Sequence, residues 1–493
     1  MFLRIDRSQP RPLFKQIIDE IKNLIDEGTL EISQPLPSSR NLAKRLGVNR
    51  STVTRAYEEL QAIGYLTSRQ GSYHRVQRRS KEVEYNPDRK SFISWEKEST
   101  PNARDIHEIF LRYSPEKQRS APPGQDTINI SELDLDPRLF PMEDFRRCVN
   151  HVLFRSASHS LQYGDHKGYL PLRQEIAKRL RLHGISVSEK EMLITNGAQQ
   201  AIDLVIRMLA KKEKKVAIET PTYAAILPLL KFNRANLLEI PMKKNGLDLN
   251  YLEEALSKEK VSFVYTIPNF QNPTGITTPH QHRERLLNIC LRYRVPIVED
   301  GFEEDMKYFG KVALPIKSID EKNIVIYLGT FSKALFPGLR IGWVTADKEC
   351  ISRLTAIKRF SDLGSGKFVQ VVLHEFLKRG YYDRQLKRMH QAFRKRLQVA
   401  LKTMGDVFPH TVSWTKPTGG YTIWVKLPRK WNEEQLHSHL GRYGVIVSPG
   451  SYYFPFKKSC EYFRLSIAKR NEPEITEAIT RLGKALHSLD KEN

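Results

Sequence analysis

The strongest constraint in this sequence is the position of four polar segments, each placed directly after a short β-rich run. EMLIT (191–195) leads into NGAQQAIDLV, and SFVYT (262–266) leads to IPNFQNPTG. PIVE (296–299) ends on Asp300, and IVIYL (324–328) leads to GTFSKALFPGLRIGW. From about residue 126 onward such runs alternate with helical patterns, which predicts an α/β sheet. Open α/β sheets build ligand sites at the carboxyl ends of their strands, so the four segments are expected to converge.

The rest of the chain is organised differently. Its 493 residues suggest roughly two to four domains. With 40% apolar and 28% charged residues, it can build sizeable cores, and global disorder is excluded. Residues 1–76 read as short helices ending in a β wing. Residues 77–125 are dense in charge and proline and read as a linker, with a helical turn around 106–111. Residues 126–493 carry the α/β pattern. No apolar run approaches the roughly 18 residues of a membrane span, and the start lacks an apolar signal core, so neither secretion nor membrane insertion is expected. Cys148, Cys290, Cys350 and Cys460 lie far apart with no metal-type spacing. They predict reduced thiols, a cytoplasmic protein and no metal site.

The formal charge of +24 suggests a polyanionic partner. It is not concentrated at the amino end. Residues 1–76 hold 12 Lys+Arg and 8 Asp+Glu, the linker holds 10 and 8, and the remaining +18 falls in the large domain. One stretch there, 376–396, carries eight Lys+Arg and one acidic residue at helical spacing. It is a candidate second DNA-contacting surface.

In the first domain Leu13, Ile17, Ile21 and Leu24 recur at helical spacing, with Gly28 as a stop. Ser38 or Ser39 can cap a short helix that ends at Gly47, and Asn49 can cap the next. Val53, Ala56, Tyr57, Leu60 and Ile63 form one apolar stripe on that helix, leaving Arg50, Ser51, Thr52, Thr54 and Arg55 on the free face. Two helices joined by a glycine turn predict a helix-turn-helix, whose second helix enters the major groove of DNA. The pattern PSSR-x-LA-x-x-LGV-x-R-x-TV-x-x-AY-x-x-L-x-x-x-GY resembles the GntR class of winged helix-turn-helix regulators. That resemblance places double-stranded DNA contacts on Ser39, Arg40, Arg50, Thr52, Thr54, Arg55 and the wing at Gly71. The wing itself reads Q-G-S-Y-H where the class usually has G-S-G-T-F.

In the second domain the residue types suit pyridoxal phosphate. Lys333 can bond the cofactor's aldehyde, and Asp300 can pair with its ring nitrogen. Asn272 can hydrogen-bond the ring oxygen, and Tyr223 can stack on the ring. Backbone N–H groups of Gly197, Ala198 and Gln199 at a helix start suit the phosphate, as do Thr330, Ser332 and the fork of Arg340. The order and spacing of these segments resemble the aspartate-aminotransferase type (fold type I) of pyridoxal phosphate enzymes. The resemblance implies an α/β transferase fold with a smaller carboxyl-terminal α+β subdomain. It adds Tyr163 in YGDHKGYLPLR, reaching the phosphate of a second subunit, and Arg464 in YFRLSIA, binding an amino acid's carboxylate. One departure stands out: where that type commonly has a tyrosine, this chain has Phe302, which leaves Asn272, Tyr265 or Tyr308 as donor to the ring oxygen.

Joined, the halves resemble the MocR subfamily of transcription regulators. The resemblance implies a head-to-tail homodimer that binds paired DNA sites and responds to pyridoxal phosphate or an amino acid. The alternative is an active aminotransferase that carries a DNA-binding head.

Overall fold

The computed structural model describes residues 3–68, 73–77, 91–112, 126–310, 313–455 and 459–491. The chain divides into two compact units, Met1–Trp95 and Glu96–Asn493.

The first unit packs α1 (Leu13–Asp26), α2 (Ser39–Leu46) and α3 (Arg50–Ala62) beside a two-stranded ribbon, β1 (Leu66–Thr67) antiparallel to β2 (Arg75–Val76). Ile17, Ile21, Leu42, Val53, Tyr57 and Leu60 form its core. Each falls on the inward stripe set by the 3.6-residue period. Ser38, not Ser39, caps α2, accepting from Asn41 N at 3.3 Å. Asn49 caps α3, accepting from Ser51 N at 2.9 Å. Gly47 ends α2 at φ 63°, the left-handed position that a side chain disfavours.

The second unit is built on a sheet of eight strands among the described residues. They are β3 (Met192–Thr195), β4 (Lys215–Thr220), β5 (Asn236–Lys243), β6 (Gly246–Leu247), β7 (Val261–Thr266), β8 (Ile297–Asp300), β9 (Val325–Thr330) and β10 (Gly342–Thr345). Their spatial order is β3-β10-β9-β8-β7-β4-β5-β6, and β10 and β6 run against the rest. Alternation along the strands divides two cores. Val216, Ile218, Phe263, Tyr265 and Val298 face one, while Ala217, Val264, Ile297 and Val325 face the other. Because β3, β7, β8 and β9 point the same way, the four polar segments emerge at one edge of the sheet.

On the first face lie α5 (Ala198–Leu209) and α6 (Ile226–Phe232). The stretch read as a linker contains a twelve-residue helix, α4 (Pro101–Arg112), which docks on α6. Asn102 Nδ2 donates to Phe232 O at 2.7 Å, and Arg234 Nε donates to Asn102 Oδ1 at 2.9 Å. The expected turn at 106–111 is thus half of a longer helix. Asn102, Asp105, Ile106 and Ile109 form its half-buried side, and two of the four are polar, which hides the apolar period.

A smaller sheet follows: β11 (Ser413–Trp414), β12 (Thr422–Asn432), β13 (Ser448–Pro449) and β14 (Ser459–Ser466), in the order β11-β12-β14-β13. It packs with α7 (Tyr381–Val407) and α8 (Glu472–Lys491) in one core. The basic stretch 376–396 lies largely on α7, and its charges are less free than their spacing suggests. Arg396 is buried on Asp136 Oδ2 at 2.5 Å, and Arg388 donates to Arg138 O at 3.0 Å. Arg384 pairs with Asp144, while Lys387 and Lys395 stay exposed. Among the described residues, no helix is long and apolar enough to cross a membrane.

Candidate functional site

The strand ends form a polar cup. After β3 the chain turns at Gly197 (φ 85°), where an added Cβ would lie 2.5 Å from Arg340 Nη2. A glycine there lets the guanidinium lie against the start of α5, whose first N–H groups have no partner within the helix. Arg340 itself has φ 51°, a conformation a non-glycine residue holds only when its surroundings fix it. Its Nη2 donates to Asn196 O at 3.2 Å, and its Nη1 lies 3.5 Å from Ser332 Oγ. Thr330 Oγ1 accepts from Ser332 N at 3.1 Å and so fixes the turn after β9. A cation, hydroxyls and backbone N–H groups therefore share one spot.

A cavity of about 250 Å³ opens there. Ala198, Gln199, Thr330, Ser332 and Arg340 line its cup side, and Tyr223, Asn272, Asp300 and Lys333 line the remainder. Leu133, Asp134 and Phe302 also border it, and of these only Phe302 was singled out from sequence. Arg464 is buried beside it on β14: Nη1 donates to Asn272 Oδ1 at 3.0 Å and Nη2 to Ser131 O at 2.6 Å. Tyr163 stands apart, 90% exposed.

Strand register explains the electrostatics. Tyr265 on β7 and Asp300 on β8 fall on the same face, and the tyrosine hydroxyl donates to Asp300 Oδ2 at 2.7 Å. Burial raises the Asp300 carboxyl to about 6, and the tyrosine bond counters part of that rise. Asp300 Oδ1 is buried without a hydrogen-bond partner. Lys333 Nζ donates to Leu133 O at 3.0 Å. Desolvation pulls its ammonium below the ordinary lysine range, against the opposing charges of Glu303 and Asp134. Burial likewise lifts Tyr223 to about 12, keeping a neutral phenol whose hydroxyl donates to Gln199 Oε1 at 3.1 Å.

The three candidate donors for the Phe302 position separate. Tyr265 is engaged by Asp300, and Tyr308 stacks on Phe393 with ring centres 6.5 Å apart. Asn272 gives its oxygen to Arg464, which leaves Nδ2 as its donor on the cavity side. A second acidic neighbour, besides Asp134, was not anticipated. Glu303 is buried and shares with Lys333 a second cavity; its only signal in the sequence was membership of the acidic run 299–305.

In the first unit Arg40 and Arg50 are exposed, and Ser39, Thr52 and Thr54 are half-buried. Arg50 Nε lies 3.4 Å from Ser39 Oγ, bringing the starts of α2 and α3 together. Arg55 is partly engaged, 3.2 Å from Glu59 and over the Phe14 ring at 3.8 Å. Gly71 lies outside the described residues.

A parallel-rich sheet whose strand ends gather a lysine, a buried aspartate and a phosphate-type cup defines a pyridoxal phosphate-binding transferase domain. The comparisons agree: the chain belongs to the aminotransferase class I and II family, matched over residues 128–482. Residues 13–76 match the bacterial regulatory proteins of the gntR family, so a DNA-binding domain of that type is fused to it, the architecture of the MocR subfamily. YdfD of Bacillus subtilis, an uncharacterized HTH-type transcriptional regulator, is 30% identical over 97% of both chains. Aromatic-amino-acid aminotransferase 1 of Thermococcus litoralis is 35% identical over 73% of this chain and 88% of its own. The crystal structure of LysN, an α-aminoadipate aminotransferase from Thermus thermophilus complexed with N-(5'-phosphopyridoxyl)-L-leucine, superposes with a TM-score of 0.75. It is 30% identical and covers 81% of this chain and all of that one.

The residues here fit pyridoxal phosphate, the cofactor of this domain type. The unpartnered Asp300 Oδ1 is a buried acceptor that a protonated ring nitrogen would satisfy. When bound, the cofactor supplies an aldehyde for an amine and a protonated ring that withdraws electrons.

Proposed function

We propose that this protein is a DNA-binding transcription regulator that senses an amino acid through its pyridoxal phosphate domain. The observation that carries this reading is end-to-end similarity to a chain named as a transcriptional regulator, head and large domain together. A helix-turn-helix has no evident use on a purely metabolic enzyme.

Each side chain then has a task. Lys333 anchors the cofactor, and Asp300 holds the proton on its ring nitrogen. Asn272 Nδ2 donates to the ring oxygen, while Tyr223 covers the ring. The N–H groups of Gly197, Ala198 and Gln199 bind the phosphate together with Thr330, Ser332 and Arg340. Arg464 takes the α-carboxylate of the amino acid. Tyr163, so exposed in one chain, would reach the phosphate held by a second copy in a head-to-tail homodimer. In the head, Ser39, Arg40, Arg50, Thr52, Thr54, Arg55 and the wing at Gly71 meet double-stranded DNA. The setting is the cytoplasm, away from membranes. The effector acts only if it binds two domain arrangements unequally, and closure of the smaller subdomain on a carboxylate held by Arg464 would supply that difference.

A second reading, a working aminotransferase, is favoured by the simultaneous presence of Lys333, Asp300, Asn272 and Arg464. The absorbance spectrum of the purified protein separates the two when amino acids are added singly, followed by 2-oxo acids. A lasting change with one amino acid that 2-oxo acids do not reverse supports the sensor. Rapid loss of the aldehyde-derived absorbance, restored by a 2-oxo acid, supports the enzyme.

A further inference from the structure

Two residues that flank the turn at Gly197 are held by one carboxylate. Asn196 Nδ2 donates to Asp362 Oδ2 at 3.0 Å, and Gln200 Nε2, in the first turn of α5, donates to the same oxygen at 2.8 Å. The two also hold each other, because Asn196 N donates to Gln200 Oε1 at 2.8 Å. Asn196 O accepts from Arg340 Nη2, the guanidinium of the cup. Asn196 is thus fixed at its nitrogen, its carbonyl and its side chain. None of Asn196, Gln200 and Asp362 lines the ligand cavity.

Asp362 is itself well held. It ends the helix Lys348–Asp362, and Leu363 after it turns at φ 59°. Its Oδ1 accepts from Gly364 N at 2.9 Å, which ties the side chain to that turn. Lys358, one helical turn earlier and 1% exposed, donates to Oδ1 at 2.8 Å and to Oδ2 at 2.7 Å. Donors from four residues therefore converge on two oxygens. A carboxylate has the lone pairs for this, whereas an amide offers one acceptor oxygen. Burial opposes the charge of Asp362, yet the bonds from Lys358 and Gln200 bring its carboxyl below the ordinary range, so it is an anion at neutral pH. A lone carboxylate behind an anion site would repel the ligand. The buried ammonium of Lys358 cancels that charge.

We propose that Asp362 is the positioning residue of the phosphate cup: through Asn196 and Gln200 it holds the Gly197 turn and the start of α5 where their N–H groups and Arg340 can share one phosphate. The inference rests on reading the cup as the site of the cofactor's phosphate, and it assigns the shape of that site to a residue outside the cavity.

The test uses the full-length chain freed of cofactor and compares pyridoxal phosphate with pyridoxal, which has the same ring and aldehyde but no phosphate. Asp362→Asn keeps the size of the side chain and removes its charge and one acceptor oxygen. By absorbance titration, affinity for pyridoxal phosphate is expected to fall about tenfold while affinity for pyridoxal stays within about twofold. Equal losses for the two ligands would mean a general structural role and overturn the proposal, as would no loss for either. Hydrogen exchange gives a second reading without cofactor. Inorganic phosphate is expected to slow exchange in peptides covering 197–199 of the parent but not of Asp362→Asn, and the same response in both proteins overturns the proposal. Should Asp362→Asn not fold because Lys358 loses its counter-charge, Lys358→Met joined to Asp362→Asn removes the buried charge and is held to the same two comparisons. If the parent took no pyridoxal phosphate, the proposed function would fall, whereas the role of Asp362 would still be decided by the exchange measurement.

Discussion

The hydroxyl of Tyr265 lies 2.7 Å from Asp300 Oδ2, and both side chains are buried. The bond satisfies one of two oxygens on a carboxylate that burial disfavours in its charged form. Tyr265→Phe leaves both without a donor from that side. It is expected to lower the unfolding free energy of the cofactor-free protein by about 1–3 kcal/mol. Denaturant unfolding of the two proteins measures this, and equal stability would show that the bond contributes little.

Phe302 lines the ligand cavity without offering a polar group. Phe302→Tyr adds a donor near the ring oxygen of the bound cofactor and spreads its negative charge. The proton on the lysine-bound cofactor is then held less tightly, so the absorbance titration is expected to move to lower pH. The same midpoint in both proteins would refute this.

Gly197 separates the start of α5 from Arg340. Gly197→Ala must strain a left-handed backbone and push the guanidinium aside. Affinity for pyridoxal phosphate is expected to fall about tenfold or more, equivalent to about 1.4 kcal/mol. Gly338→Ala, where an added Cβ meets nothing within 4 Å, is the matched control. Equilibrium dialysis compares them, and similar losses in the two variants would contradict the role given to Gly197.

The exposed Arg40 and Arg50 are expected to contact DNA phosphates. On random-sequence duplex, Arg40→Ala and Arg50→Ala should each lower the slope of log affinity against log salt by about 1. Arg55→Ala should also cost about 0.5–1 kcal/mol of stability, through its lost stacking on Phe14. An unchanged slope in the first two variants would remove those arginines from the interface.

His183 gives a pH dependence. Burial opposes its charge, yet Asp305 at 3.1 Å, aided by Glu304 and against Arg179, raises its pKa overall. A raised folded-state value stabilises the protein fully below the unfolded value near 6.5, and this stabilisation fades as pH climbs through the folded value. His183→Gln is therefore expected to lower the melting temperature more at about pH 6 than at about pH 9. Equal losses at both would show that His183 acts only by packing.

What was legible from sequence follows from where the information is local. The strand-end segments were readable because β-rich runs and turn residues sit side by side, and a parallel-rich sheet brings such ends together whatever its strand order. The caps were readable for the same reason, Asn49 directly and Ser38 as one of two adjacent serines, since each sits one residue before its helix begins. What stayed hidden depends on distant partners. Arg396 looks like surface charge until Asp136, 260 positions away, meets it. Glu303 is one acid in a run of several until Tyr421 and Gly420 arrive from another sheet. Only the second half of helix α4 was legible, because half its inward side is polar and is matched by groups on and next to α6, not by an apolar core.

Lys333 stands as the common wall of two chambers, one open to ligands and one holding acids. A rotation of that single side chain changes the volume and the charge of both at once. A ligand bonded to Lys333 on one side would remove a positive charge that Glu303 feels on the other.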